Sequence, residues 1–429
     1  MRWESCLAKF ALVVLGILGL PGFARGQALG EEGPPRLPRE AEPGASPERE
    51  VPHPALDEGA PAAPERERLL DLRIGDLRVL PVFGFTEKFD SNIFLRDDDE
   101  EHDLIQMPRA GLGATYDVGD VHLDGSYLGQ YLWFSRHEDE RDFEHFARSS
   151  FRYEPGEFYA GAGGSFQRTV SPLDLRVVER LVLFQSSAYA RGGWDGDVAR
   201  IEIEPFIEGY DVRDKFFDFL DYTKYGGRLP CQWKVSPEFR LLTTVEGGQT
   251  FYQEDDKNDY DFVEGTAGFQ WVPAEVFGLR AEMGYRLNDY ENDAEVFPDT
   301  RDYKQIVTRV TLIWKPVEDG RLALGYGHRP VESVVSNYLK QDNWTISYEH
   351  ILFEKWTLGA DARFERNQES RHDVAQQRQY GIRPGASLRF TPLKWLSFDA
   401  SYRYLGKRTN DDVGEYDDHQ LTAGVEIRF

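Results

Sequence analysis

The last nine residues, Leu421-Thr-Ala-Gly-Val-Glu-Ile-Arg-Phe429, decide the fold class. Leu421, Ala423, Val425, Ile427 and Phe429 are apolar, and polar or small residues fill every gap between them. A repeat of two is the signature of a β-strand with one apolar and one polar face. The same alternation recurs upstream. Trp356, Leu358, Ala360, Ala362 and Phe364 interleave with Thr357, Gly359, Asp361, Arg363 and Glu365. Leu279, Ala281, Met283, Tyr285 and Leu287 interleave with Arg280, Glu282, Gly284, Arg286 and Asn288.

A soluble β-sandwich would show this alternation too, so the connections decide between the two. Tight ones carry Pro, Gly or Asp: DVGD from Asp117, EPGE from Glu154, WDGD from Trp194, VSPE from Val235, VPAE from Val272, VEDG from Val317, LFEK from Leu352 and TPLK from Thr391. Between them lie longer charged stretches, such as DDDEE from Asp97, HEDERD from His137, EDDKND from Glu254, NDAEVFPDTRD from Asn292 and GKRTNDDVGE from Gly406. Short turns at one end and long loops at the other are the arrangement of an outer-membrane barrel, with the turns facing the periplasm. Eight tight turns and nine loops predict an all-β transmembrane antiparallel barrel of about 18 strands. The final strand should close on the first, near Leu80 to Phe89, because hydrocarbon tolerates no unpaired sheet edge.

Composition agrees. The chain has 429 residues, 14% of them aromatic, and a formal net charge of −25. Its mean hydropathy is −0.56. Several helical spans of ~20 apolar residues do not fit so hydrophilic a chain, whereas a barrel shows lipid only alternate residues. The acidic balance argues against nucleic acid, which needs a Lys/Arg surface. Cys6 falls in the leader, leaving Cys231 without a disulfide partner.

Arg2 and Lys9 precede an apolar run from Phe10 to Leu20, and small residues follow Pro21. This is a secretory signal peptide, assigned to residues 1–26, with Ala24, Gly26 and Ala28 as cleavage positions. Residues 27–70 are rich in Pro, Glu and Ala and read as a disordered periplasmic linker. Residues 71–429 are the barrel.

With the apolar set facing lipid, the inward face carries Arg109, Arg148, Arg152, Arg228, Arg240, Arg280, Arg286, Arg309, Arg321, Arg329, Arg363, Arg383, Arg389, Arg403 and Arg428. Its acids include Glu282, Asp361, Asp399 and Glu426. These read either as structural ion-pair ladders or as a guanidinium excess that draws anionic solutes. Trp194, Trp233, Trp271, Trp314, Trp356 and Trp395 each sit beside a tight turn, which predicts an aromatic girdle at one membrane boundary. A nucleophile elbow, HExxH, a Walker loop and a Cys/His zinc spacing are all missing. His122, His328, His350 and His419 are scattered over separate strands. No enzyme activity, cofactor or metal is expected.

From Ile74 to Leu95 the chain reads IGDLRVLPVFGFTEKFDSNIFL. The "FDSNIF" segment, Phe89 to Phe94, is followed by an acidic loop and a strand from Leu104. Together with the terminal hairpin, Leu396 to Phe429, it resembles the putative β-barrel porin 2 family over residues 74 to 429. The resemblance implies a barrel linked with exopolysaccharide export and working with periplasmic export components; a passive diffusion porin for small or oligosaccharide solutes is the alternative. Outer-membrane lipid, lipopolysaccharide and the barrel-assembly machinery are the other expected partners, with Phe429 as the assembly signal. The location expected is the bacterial outer membrane, with both the linker and the C-terminus periplasmic.

Overall fold

The computed structural model describes residues 72–97, 99–172, 180–214, 216–254, 256–291, 299–333, 336–370, 378–410 and 415–428, without the side chains of 171 and 172. The expected signal peptide and linker, and the assembly signal at Phe429, lie outside these residues.

Nineteen strands follow one another: β1 (Leu72–Ile74), β2 (Leu77–Asp90), β3 (Asp103–Val118), β4 (Val121–Phe134), β5 (Asp142–Tyr153), β6 (Phe158–Pro172), β7 (Arg180–Asp195), β8 (Ala199–Val212), β9 (Tyr222–Lys234), β10 (Phe239–Tyr252), β11 (Tyr260–Ala274), β12 (Phe277–Tyr290), β13 (Tyr303–Val317), β14 (Gly320–Val331), β15 (Leu339–Leu352), β16 (Trp356–Glu369), β17 (Arg378–Leu393), β18 (Leu396–Thr409) and β19 (Tyr416–Arg428). Each pairs antiparallel with the next, and β19 returns to β2 with Arg428 opposite Val82 and Gln420 opposite Asp90. The wall is therefore a closed barrel of 18 strands, β2 to β19. The short β1 folds back on the start of β2, pairing Leu72 with Val79, and covers the part of that strand that β19 leaves unpaired. No helix among the described residues is long and apolar enough to cross a membrane.

Alternation explains the wall. Leu421, Met283, Tyr285, Trp356 and Leu358 are exposed on the outside, while Thr422, Glu426, Arg280, Glu282, Thr357 and Asp361 from the same strands line the interior. Inverting the usual core in this way is stable only if the outer face meets hydrocarbon.

The eight expected tight turns all join barrel strands at one rim. Three of them share a device. Trp271-Val-Pro-Ala274, Trp314-Lys-Pro-Val317 and Phe390-Thr-Pro-Leu393 each place a proline inside a register shift. Proline has no N–H to give the ladder, so a bulge is where a sheet can hold it.

The seam between first and last strands is stapled at the long-loop rim by the FDSNIF segment. The Ser91 amide donates to the His419 carbonyl at 3.0 Å, and the His419 amide donates to Ser91 Oγ at 2.7 Å. The Asn92 amide donates to Asp418 Oδ1 at 3.2 Å. Asn92 Nδ2 donates to the carbonyls of Arg96 at 2.6 Å and Asp417 at 3.0 Å, and its Oδ1 accepts from the Arg96 amide at 2.9 Å. Gln420 Nε2 joins Asp418 at 2.6 Å and Asp90 at 3.3 Å. Asp90, Asn92 and Asp418 are each 0% exposed.

Candidate functional site: a charged lumen crossed by a loop

The interior is one polar cavity of about 1380 Å³, running from the seam around the wall. Thirteen Lys and Arg side chains and eleven carboxylates line it among the described residues, a slight cationic excess in a chain whose total charge is strongly negative. Arg109, Arg228, Arg280, Arg286, Arg309, Arg329, Arg363, Arg389 and Arg403 face it, as do Glu282, Asp361 and Asp399. Five of the arginines read as inward, Arg148, Arg152, Arg240, Arg321 and Arg383, do not line it. Arg240 lies opposite Lys234, next to a short turn. Arg152 pairs with Glu154 in the turn that follows its strand, at 3.4 Å. Arg383 is held in the wall by Glu365 at 3.3 Å.

Most lumenal guanidinium groups are neutralised by neighbours. Arg109 binds Glu426 at 2.7 Å across the seam. Arg228 sits between Glu246 at 2.7 Å and Glu204 at 3.4 Å. Arg280 meets Glu282 at 2.8 Å, Arg286 meets Glu264 at 3.2 Å, and Arg389 meets Asp399 at 2.5 Å. Pairs of this kind, within β12 for Arg280 and Glu282 and between strands for the others, hold lumenal side chains in one geometry. Arg329 and Arg403 differ: both face the cavity and neither forms an ion pair or hydrogen bond among the described residues. Among the carboxylates, Glu349 and Asp361 likewise face the cavity without an ion pair among the described residues.

Aromatic rings support part of this charge. In one row across the wall, Phe206 of β8, Gly226, Gly248 and Phe262 of β11 lie opposite one another. A Cβ on Gly226 would sit 2.9 Å from the Phe206 ring, and one on Gly248 3.0 Å from the Phe262 ring. The two glycines thus let both rings lie flat on the wall. Above them stand Arg228, 4.7 Å from the Phe206 centroid, and Arg286, 4.6 Å from that of Phe262, within cation–π range.

At the long-loop rim, described residues on either side of 334 and 335 reach inward from the wall. Glu332, the residue after β14, lines the cavity and accepts from Tyr260 Oη at 2.6 Å and from the Tyr252 hydroxyl. Tyr260 begins a strand three places away, about 14 Å around the wall at the usual strand spacing. The bond is therefore made across the inside of the curve. Tyr338, just before β15, packs on the lumenal Tyr290 at 6.0 Å and on Tyr303 at 5.1 Å. Lys257 Nζ, from the β10–β11 loop, donates to the Ser333 carbonyl at 2.5 Å and lies 4.4 Å from the Tyr252 ring. Burial pushes its ammonium down to about 8, against the pull of Glu332 and Glu369. Nothing in the alternation of the strands signals these inward residues, because their partners are dispersed over four connections.

The tryptophans read as a girdle cluster at the short-turn rim. Trp233, Trp271, Trp314 and Trp356 are on the outside and between 37% and 46% exposed. Trp194 is half-buried there and donates its Nε1 to Glu157 at 2.7 Å; Trp395 lies half-buried in the last turn.

Neither a family model nor a curated protein sequence matches the chain. Among solved structures, a BenF-like porin from Pseudomonas fluorescens Pf-5 aligns at 11% identity over 82% of this chain and 99% of its own, with a TM-score of 0.50. The fold is that of an outer-membrane porin. OccAB3 of Acinetobacter baumannii (10% identity, 83% of this chain and 100% of its own, TM-score 0.49) and the outer-membrane protein OpdK of Pseudomonas aeruginosa (9%, 82% and 99%, 0.47) align over similar spans. These identities speak for architecture alone. They do not extend to the narrower porin 2 resemblance.

Proposed function

We propose that this barrel is a passive diffusion channel of the bacterial outer membrane for small solutes, with a preference for anions. One observation carries the reading: a continuous cavity lined by charged side chains runs inside a closed wall, and Glu332 reaches over it from a connection at one rim. A lumen edged by charges of both signs suits hydrated small molecules that enter and leave without tight binding. The cationic excess of the lining as a whole, thirteen Lys and Arg side chains against eleven carboxylates among the described residues, supplies the anion preference. The tryptophan row serves as the girdle, and by the usual asymmetry of such barrels the short turns face the periplasm. Lipid and lipopolysaccharide surround the wall, and the assembly machinery inserts it.

This reading displaces polysaccharide export, which the FDSNIF resemblance favoured. That segment forms a staple at the seam rather than part of the cavity, and a mouth overhung by Glu332 suits small solutes better than a polymer. Purified protein in planar bilayers should conduct and show anion preference, and liposomes carrying it should swell in small sugars. Intact permeability together with lost surface polysaccharide in a deletion strain would instead restore the export reading. A barrel that does not conduct would overturn the channel itself.

A further inference from the structure

Asn337, in the connection between β14 and β15, is tied to residues of three other long connections. Asn337 is 3% exposed and uses its whole amide. Its Nδ2 donates to the carbonyls of Asp299 at 2.9 Å and Arg301 at 3.1 Å, and its Oδ1 accepts from Asn258 Nδ2 at 2.8 Å. Its backbone amide donates to Asp299 Oδ2 at 3.2 Å. The Ser370 hydroxyl donates to the same carboxylate, and Arg301 Nη1 donates to the Ser370 carbonyl at 2.6 Å. Asn337 thereby joins three connections directly and the fourth through Asp299.

Satisfied buried polar networks select one geometry, since any displacement leaves donors and acceptors without water or partners. None of these residues belongs to a strand. Their order is therefore not needed to close the wall, and the ladder would stand without them. What they hold is Glu332 and Tyr338 over the inner faces of β11 to β13.

We propose that this four-loop clasp is the channel's fixed size filter, and that Asn337 is its positioning residue: it touches no solute but holds the segment that does. The proposal rests on the channel reading, so the test must separate the two. Liposome swelling with neutral sugars of graded size serves, because neutral probes ignore lumenal charge. Wild-type protein should admit small sugars and exclude larger ones; no swelling with any sugar would overturn the channel reading. Asn337→Ala should keep the folded, heat-modifiable gel migration, admit sugars that the wild type excludes, and raise single-channel conductance roughly twofold. Its reversal potential should be unchanged, because no charge is altered. Arg301→Gln, which removes one tie at the edge of the clasp, should move the size limit the same way by less, and it decides the matter if Asn337→Ala does not fold. A folded variant with wild-type size limit and conductance would overturn the proposal.

Discussion

Two buried polar networks stand at the long-loop rim, and each turns on an asparagine whose amide is fully used. At the seam, Asn92 ties the end of β2 to the start of β19, residues more than 300 apart in sequence. In the clasp, Asn337 ties loops to loops. The chemistry is the same, but the mechanical consequence differs. The seam network finishes a ladder that lipid requires to be closed, so it belongs to the fold. The clasp hangs from a ladder already closed, so it belongs to the pore. Breaking the first should cost the barrel; breaking the second should cost only its selectivity.

The largest effect is therefore expected at Asp418. Its carboxylate accepts from the Ser91 hydroxyl, the Asn92 amide and Gln420 Nε2. Asp418→Ala strands the buried Asn92 and Gln420 donors, a loss of about 3 kcal/mol by the usual cost of unpaired buried groups. The midpoint of urea unfolding, read by gel mobility, should fall accordingly, while single channels of the surviving folded fraction keep wild-type conductance. A normal midpoint with altered conductance would reverse the roles assigned to the two networks.

The comparison also shows what a sequence can disclose. Leu421 to Ile427 disclosed the strand, its two faces and its place at the end of the barrel, because lipid on one side and water on the other impose a period of two on every strand. The eight turns disclosed the count, because the short rim of a barrel admits only tight connections. Parity assigned Arg280, Glu282 and Arg286 to one face, and all three are in the cavity lining. Parity could not reveal that Arg152 and Arg240 stand beside short turns, because height along the barrel is set by register and tilt. Nor could it reveal the clasp. Asn258, Asp299, Asn337 and Ser370 lie in stretches whose only pattern is polarity, and their meeting depends on a barrel that brings four loops to one rim. FDSNIF was distinctive as a string, and its distinctiveness has a physical cause in Asn92 and the seam.

A smaller effect separates charge from size. Arg329 lies on β14 two residues short of the clasp-bound segment, faces the cavity and forms no ion pair among the described residues. Arg329→Gln removes a unit charge from the path. At an intermediate effective dielectric, a charge several ångströms from a passing ion contributes roughly 1 kcal/mol, or about fivefold in local anion excess. The reversal potential in a salt gradient should move toward cation permeability, and the sugar size limit should stay fixed. Arg389→Gln, whose partner Asp399 is 2.5 Å away, should move it further by freeing that carboxylate. An unchanged reversal potential in Arg329→Gln would place the anion preference elsewhere.

The smallest effect concerns a third network, intermediate between the other two because one wall residue anchors a loop. Asp103, the first residue of β3, accepts from the amides of Ser135, Arg136 and His137 at 3.0, 3.1 and 3.0 Å. The His137 ring stands between Asp103 Oδ2 and Glu101 Oε2, at 2.8 Å from each. Burial alone would lower its pKa, but the bonds to the two carboxylates prevail and raise it above the ordinary 6.5. A histidine whose folded pKa is raised stabilises fully below 6.5, and that contribution is lost as pH climbs through the folded value. Glu101 is 40% exposed and therefore screened, which keeps the effect under about 1 kcal/mol. Amide exchange over residues 135–141, corrected for its intrinsic pH dependence, should accelerate as pH rises above 6.5, and His137→Gln should flatten that rise. If the two proteins follow the same curve, the loop is held by the Asp103 backbone bonds alone, and wall anchoring, rather than side-chain charge, distinguishes this network from the clasp.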